Sequence, residues 1–222
     1  MVSIVITNYN YGRFIARSIR SCLNQSIFDQ AEVIVVDDAS TDNSRAIIIE
    51  HFSDKVTPIF MEENRGVAYC SNEGVRQAKG MYVIRVDADD YIHEKAIEIL
   101  LEFLEMNPEY SFAYADHFRV TENDQKLDRV YLDTETKLLD HGAGILFRKV
   151  ALEAVGLYDP EMRNCEDMLL LKRLLQSGHR GIYVQLPLYR YLRHESNMTN
   201  DVNARIHWKT SMEERLKNGQ RN

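Results

Sequence analysis

The sequence predicts an α/β protein with a mainly parallel, Rossmann-like central sheet flanked by helices. Three observations lead there. Short apolar β-branched runs alternate with amphipathic helical segments through the first half of the chain, the pattern of β-α-β units. The runs are near-continuously apolar, as strands buried on both faces must be. A polar cluster follows each run at once: "TNYN", "DDAS", "ENRG" and "DADD". Open sheets of this kind bind ligands beyond the carboxyl ends of their strands, so these clusters mark one expected site.

Taken in order, "VSIVIT" (2–7) is the first strand, and residues 12–24 place Phe14, Ile15, Ser18, Ile19, Cys22 and Leu23 on one helical face. "EVIVVD" (32–37) is the second strand, followed by a helix over 41–52 with Ser40 as its expected N-cap. "KVTPIFM" (55–61) is a third strand at the sheet edge, because Pro58 cannot donate to a ladder. A helix from Gly66 to Gly80 leads to the fourth strand, "MYVIRV" (81–86), and "HEKAIEILLEFLEMNP" (93–108) is an amphipathic helix ended before its proline.

The second half is less regular and predicts a small antiparallel extension. "YSFAYADHFRV" (110–120) and "KLDRVYL" (126–132) are two strands joined by a polar turn. "HGAGILFRK" (141–149) is a strand entering a short helix. "NCEDMLLLKRLLQSG" (164–178) is a helix with Asn164 as cap and Gly178 as stop. "GIYVQL" and "LYRYLRH" are two further strands, and 203–217 a polar terminal helix. Without linker or repeat, the expectation is a single domain over 1–222, with a nucleotide-binding half (1–107), an acceptor-facing half (108–200) and a helical tail (201–222).

The bulk numbers exclude several classes. A formal charge of −7 argues against a general nucleic-acid surface, which wants a basic excess. Three widely spaced cysteines, none in a C-x-x-C pair, remove zinc ribbons and dithiol redox chemistry. The start "MVSIVITNYN" has no basic leader, and no apolar run approaches bilayer length. The expectation is a soluble, cytoplasmic protein, peripheral at the inner membrane face at most, with no transmembrane segment.

Each polar cluster admits a chemical and a structural reading. In "VDADD" (86–90), Asp87, Asp89 and Asp90 are hard-oxygen groups whose mutual repulsion a Mg²⁺ or Mn²⁺ would relieve, or Asp89 or Asp90 caps the following helix. Asp37 and Asp38 offer a carboxylate to the imino N–H of a base, or simply build a turn. Tyr9 in "TNYN" would flank a base or ribose, or sit on a surface turn. Glu166 and Asp167 open an amphipathic helix, where acids favour the macrodipole; the dipole weakens a base, whereas burial and the neighbouring acid strengthen it. Arg190, Arg193 and His194 would hold a diphosphate or complete a metal shell, or belong to a polar edge strand.

Assembled in order, "VSIVITNYNYGRFIARSIRSCLNQS", "EVIVVDDASTDNS", "NRGVAYCSNEGVRQAKGMYVIRVDADD", "GAGILFRK" and "EDMLLLKRLLQSG" resemble the family 2 glycosyltransferases of the GT-A fold, over roughly residues 1–195. The resemblance implies an inverting, metal-dependent enzyme. It would move one sugar from a nucleoside-diphosphate sugar, with UDP favoured, to a carbohydrate or lipid-linked acceptor hydroxyl in polysaccharide or glycolipid biosynthesis. Thr7, Tyr9 and Asp38 would hold base and ribose, and Asn64, Arg65 and Gly66 would lie beside the nucleoside. Asp87 and Asp89 match the family's D-x-D, Asp87 approaching ribose or metal and Asp89 binding Mn²⁺ or Mg²⁺. Asp167 matches the general base and His194 a histidine near the metal. Gly142, Glu166 and Arg193 take acceptor-side or supporting places. Two departures matter. Cys70-Ser71-Asn72 stands where the family often has Ala-Arg-Asn, so Arg65 or Arg76 is the expected replacement for the missing arginine. The Q-x-x-R-W motif of processive synthases is absent, which favours single-sugar transfer. The alternatives are a non-catalytic nucleotide-sugar-binding module and, further off, a sugar nucleotidyltransferase, which would want a glycine- and lysine-rich phosphate loop.

Overall fold

The structure, a computed structural model, describes residues 1–219, so the last three residues of the expected helical tail, 220–222, lie outside the described residues. In the first half, β1 (Val2–Asn8), β2 (Ala31–Asp37), β3 (Thr57–Phe60) and β4 (Tyr82–Asp87) alternate with α1 (Gly12–Leu23), α2 (Ser44–Phe52) and α3 (Val67–Gln77). The four strands are parallel, in the order β3–β2–β1–β4, with the proline-bearing β3 at the edge. The chain winds outward from β1 to β3 and returns to place β4 on the other side of β1. That reversal opens a crevice beyond the carboxyl ends of β1 and β4.

Strand alternation divides the core into two layers. Ile4, Ile6, Val33, Val35, Ile84 and Val86 pack against residues of α1, α2 and α4 (Ala96–Met106). Val5, Ile34, Val36 and Val83 face the opposite layer, formed by α3, α6 (Lys149–Ala154) and α7 (Glu166–Gln176). Arg85 follows Val83 by two positions and so points into this second layer, an unusual place for a cation.

The second half continues the same sheet. β8 (Leu146–Arg148) pairs antiparallel with β4, and β6 (Phe112–Val120) antiparallel with β8. β9 (Gly181–Leu192) runs parallel to β6, while β5 (Tyr91–Ile92) and β7 (Lys126–Val130) pair antiparallel with β9 and β6. A short α5 (Glu135–Leu139), capped by Thr134, and the terminal α8 (Val202–Gly219) complete the chain.

Local expectations differ from the structure at four places. The two strands expected after Gly178 are one strand: β9 bulges near Pro187, where its register against Ala115–His117 shifts, and then continues. Ser40 does not cap α2, which begins at Ser44; its Oγ accepts from Asn8 Nδ2 at 3.1 Å and from the Asn10 N–H at 2.9 Å. Asn164 does not cap α7 either, because Cys165 precedes the first turn in a left-handed conformation, φ +60°. Helix α4 starts at Ala96, too far along for Asp89 or Asp90 to cap.

Candidate active site

A cavity of about 640 Å³ occupies the crevice beyond β1 and β4. Its first wall comes from the ends of β1 and β2 and the loop before α3: Thr7, Tyr9, Asp38, Asn64 and Gly66 all line it. Asp38 holds this wall together. Its Oδ1 accepts from the Arg65 N–H at 2.7 Å and its Oδ2 from the Gly66 N–H at 2.8 Å. Gly66 has φ +88°, which the loop's sharp turn into α3 requires and which only glycine adopts freely. The neighbouring Asp37 is structural, accepting from Asn8 Nδ2, the Ser40 N–H and Arg45 Nε. Of the expected nucleoside-side group, Arg65 contributes its backbone alone. Its side chain pairs with Glu63, that of Arg76 with Glu73, and neither lines the cavity.

The acidic floor is organised by a residue the sequence reading passed over as part of an apolar strand. Arg85, 6% exposed, donates from Nη1 to Glu166 Oε1 at 3.0 Å and from Nη2 to Asp167 Oδ2 at 2.7 Å. Its Nε lies 3.1 Å from Asp87 Oδ1, close enough for charge attraction but angled away from a hydrogen bond. The signal was available: one cation among "YVIRV", two positions before the first aspartate and therefore on its face. Asp87 Oδ1 and Asp167 Oδ1 are buried without hydrogen-bond partners. Burial raises the Asp87 carboxyl to about 6, with Arg85 pulling it down and Asp89 and Glu166 pushing it up. Burial likewise lifts Asp167 well above the usual aspartate range, against the pull of Arg85 and helped by Glu166.

The remaining two aspartates of "VDADD" divide their labour. Asp90 is turned inward, its Oδ2 accepting from Tyr189 Oη at 2.7 Å and its Oδ1 from the Leu192 N–H at 2.8 Å, and it ties the end of β4 to β9. Asp89 lines the cavity. Its Oδ2 lies 2.8 Å from His194 Nε2 and also accepts from Asn197 Nδ2. His194 does not line the cavity; its side chain is 2% exposed, stands behind Asp89 against Tyr11 and Phe14, and its Nδ1 meets Ser196 Oγ. In this arrangement the ring orients Asp89, and direct metal ligation by His194 would require it to give up that contact.

The far wall comes from the second half. Gly142 lies directly against the floor: a Cβ there would fall 2.0 Å from Asp167 Cγ. Substitution Gly142→Ala must therefore displace Asp167 from Arg85. The expected result is a loss of about 1–3 kcal/mol in stability, typical of overpacking, with a larger fall in turnover; thermal denaturation and initial rates on the same sample check both. Glu166 and Arg193 line the cavity as well, and Arg193 donates to Thr199 and Asn200. Two cavity-lining histidines that the sequence reading did not single out, His117 and His141, stack at 4.2 Å. Burial lowers His117 to about 4 and His141 well below its usual value, so the pair is neutral.

A parallel β3–β2–β1–β4 half carrying acids at the end of β4, continued by antiparallel strands that bring an acid-headed helix to the same cavity, is the GT-A glycosyltransferase architecture. Solved structures share it. The chain matches Staphylococcus aureus TarS 1–349 in complex with UDP-GlcNAc at TM-score 0.77 and 21% identity, over 90% of this chain and 61% of that one. It matches the mannosyltransferase PcManGT from Pyrobaculum calidifontis, in complex with GDP-Man and Mn²⁺, at TM-score 0.71 and 21% identity, over 88% and 58%. Residues 3–156 match the sequence profile of Glycosyl transferase family 2, and the chain belongs to that family. It is 28% identical over 186 residues to the putative teichuronic acid biosynthesis glycosyltransferase TuaG of Bacillus subtilis, covering 80% of this chain and 73% of that protein. It is 38% identical over 103 residues to the chondroitin synthase of Escherichia coli, 46% of this chain but 15% of the synthase. The chain thus spans a small part of that synthase and about three-fifths of TarS 1–349. No helix among the described residues is long and apolar enough to cross a membrane.

Proposed function

We propose that this glycosyltransferase moves a single sugar from a UDP-sugar to an acceptor hydroxyl with inversion, in the building of a polysaccharide or glycolipid, and that Asp167 is its general base. The observation that carries the reading is the free Oδ1 of Asp167, a buried carboxylate oxygen with no hydrogen-bond partner on a residue lining the cavity that the Asp38-clamped wall and Asp89 share. The acceptor oxygen forms its bond to the anomeric carbon as the bond to the diphosphate breaks, with the electron pair leaving on phosphate. Asp167 Oδ1 takes the hydroxyl proton as attack proceeds, and Arg85 on Oδ2 keeps the carboxylate oriented. Thr7, Tyr9, Asp38 and the Asn64–Gly66 loop hold the nucleoside. The names of relatives support the substrate class: TarS was solved with UDP and UDP-GlcNAc, TuaG is named for teichuronic acid biosynthesis and the synthase for chondroitin.

The acids of the floor fit a divalent cation. Asp87 has a buried oxygen lacking a partner, Asp89 lines the cavity beside His194, and carboxylates suit Mn²⁺ or Mg²⁺. Among the described residues no three His, Cys, Asp or Glu side chains gather as a complete cage, so phosphate oxygens or water would fill the rest of the shell. Asp89 would hold the ion, with Asp87 and His194 adjoining, and the ion supplies countercharge for the diphosphate.

Calorimetric titration of UDP with Mn²⁺ and with EDTA, on wild type and Asp89→Ala, tests the donor site. Binding that needs both the metal and Asp89 is the expected result. Metal-dependent binding of GDP or dTDP in place of UDP corrects the base, and binding of no nucleoside diphosphate under any condition overturns the donor reading.

A further inference from the structure

Six lysine and arginine side chains line the cavity. Four are already matched by carboxylates: Arg85 by the acidic floor, Arg119 by Asp128, Lys137 by Asp133 and Arg205 by Asp140. Among the described residues, Arg163 and Arg193 have no carboxylate partner. Arg163 lies outside every motif used above, on the loop before α7.

The structure nonetheless gives it a fixed seat. Met162 beside it is fully buried, packed with Leu169 and Met212, and Glu166 is held by Arg85. From this anchored loop the Arg163 side chain folds over the donor-side wall. A Cβ on Gly66 would lie 2.7 Å from Arg163 Nη1 and 2.9 Å from its Cδ, so stem and head both rest on the glycine. Its Nη1 donates to Asn64 Oδ1 at 3.1 Å. That is one of five donors on the guanidinium; the residue is exposed and lines the cavity. A seated guanidinium with free donors and no acid to neutralise it matches phosphate oxygens, which it can take in pairs. Among the described residues nothing else on this wall supplies positive charge, since Arg65 pairs with Glu63 outside the cavity and Asp38 is acidic.

We propose that Arg163 binds a phosphate of the nucleoside-diphosphate donor, closing over the Asn64–Gly66 loop from the opposite half of the fold. The proposal rests on the donor reading given above. It assigns the positive charge of the nucleoside wall to the segment preceding the Glu166–Asp167 pair, so the donor's phosphates would be held by the same loop that leads into the base.

The test is calorimetric titration of UDP, UMP and uridine into wild type, Arg163→Ala and Arg163→Lys in the presence of Mn²⁺, with thermal denaturation as a control for folding. Loss of a charge-assisted contact to phosphate should weaken UDP and UMP about tenfold or more in Arg163→Ala. Uridine binding should not change, Arg163→Lys should recover part of the loss, and the wild-type advantage should shrink as salt is raised. UDP binding by Arg163→Ala within about twofold of wild type overturns the proposal while leaving the donor site intact. Equal weakening of uridine and UDP also overturns it, by moving Arg163 to the base or ribose. Failure of wild type to bind any nucleoside diphosphate removes the donor reading and this proposal together.

Discussion

Substitution Arg85→Met lowers folding stability by about 3–5 kcal/mol at neutral pH, the usual effect of removing one partner from a buried ionic cluster. Asp87, Glu166 and Asp167 all depend on this one guanidinium, at 3.1, 3.0 and 2.7 Å. Methionine fills much of the same volume, so the loss is charge compensation rather than packing. The pH dependence separates the two. Asp87 and Asp167 have folded-state values above their unfolded ones, so the stability they lend is complete below about pH 4 and is lost as pH rises through the folded values, about 6 for Asp87. Without Arg85 those values rise further, because the group that lowered them is gone. The deficit against wild type should therefore be small below pH 6 and widen above it. Urea denaturation on either side of the Asp87 midpoint measures this; a deficit independent of pH would mean that Arg85 acts by packing alone.

The same residue shows where reading the sequence stops. Strands β1, β2 and β4 were legible because both layers of the core press on them and their middle positions are nearly all apolar, Arg85 being the exception; the edge position of β3 was legible because Pro58 lacks a donor. The polar clusters at the strand ends located the crevice, and the structure brings Thr7, Tyr9, Asp38, Asn64, Gly66, Asp87, Asp89, Gly142, Glu166, Asp167 and Arg193 to one cavity. The place of Arg85 beside Asp87 could be read from "YVIRV", but its hydrogen-bonded partners lie 81 and 82 residues away, on α7, and no local pattern records a distant carboxylate. Arg163 escaped for the same reason: what gives it a place is Gly66, on another loop. Residue type alone marks Ser40 and Asn164 as caps, but Ser40 is occupied by Asn8 and Asn10, and the left-handed Cys165 precedes α7. The two halves of β9 looked separate because Pro187 interrupts the alternation, whereas pairing with β6 on both sides of the bulge carries the strand through.

Asp167→Asn should reduce turnover by about 10²–10⁴-fold, the span expected for loss of a general base, while leaving UDP binding and folding close to wild type. The amide keeps an oxygen for the Arg85 Nη2 contact, so the floor stays in place; what it removes is the capacity to take a proton at Oδ1. The pH profile makes the assignment specific. A base works only when ionised, and burial holds Asp167 well above the ordinary aspartate range. The wild-type rate should therefore fall on acidification while ordinary surface aspartates are still charged, and that limb should vanish from the residual rate of Asp167→Asn. Asp87, half-buried and raised to about 6, is another acid on this floor that would give an acid limb of the same sign. Its titration would persist in Asp167→Asn and disappear in Asp87→Asn. Initial rates of nucleoside-diphosphate release across pH, for wild type and both variants, distinguish them. If Asp167→Asn keeps the full acid limb and most of the rate, Asp167 is not the base, and the proton leaves through Asp87 or another acid of the cavity.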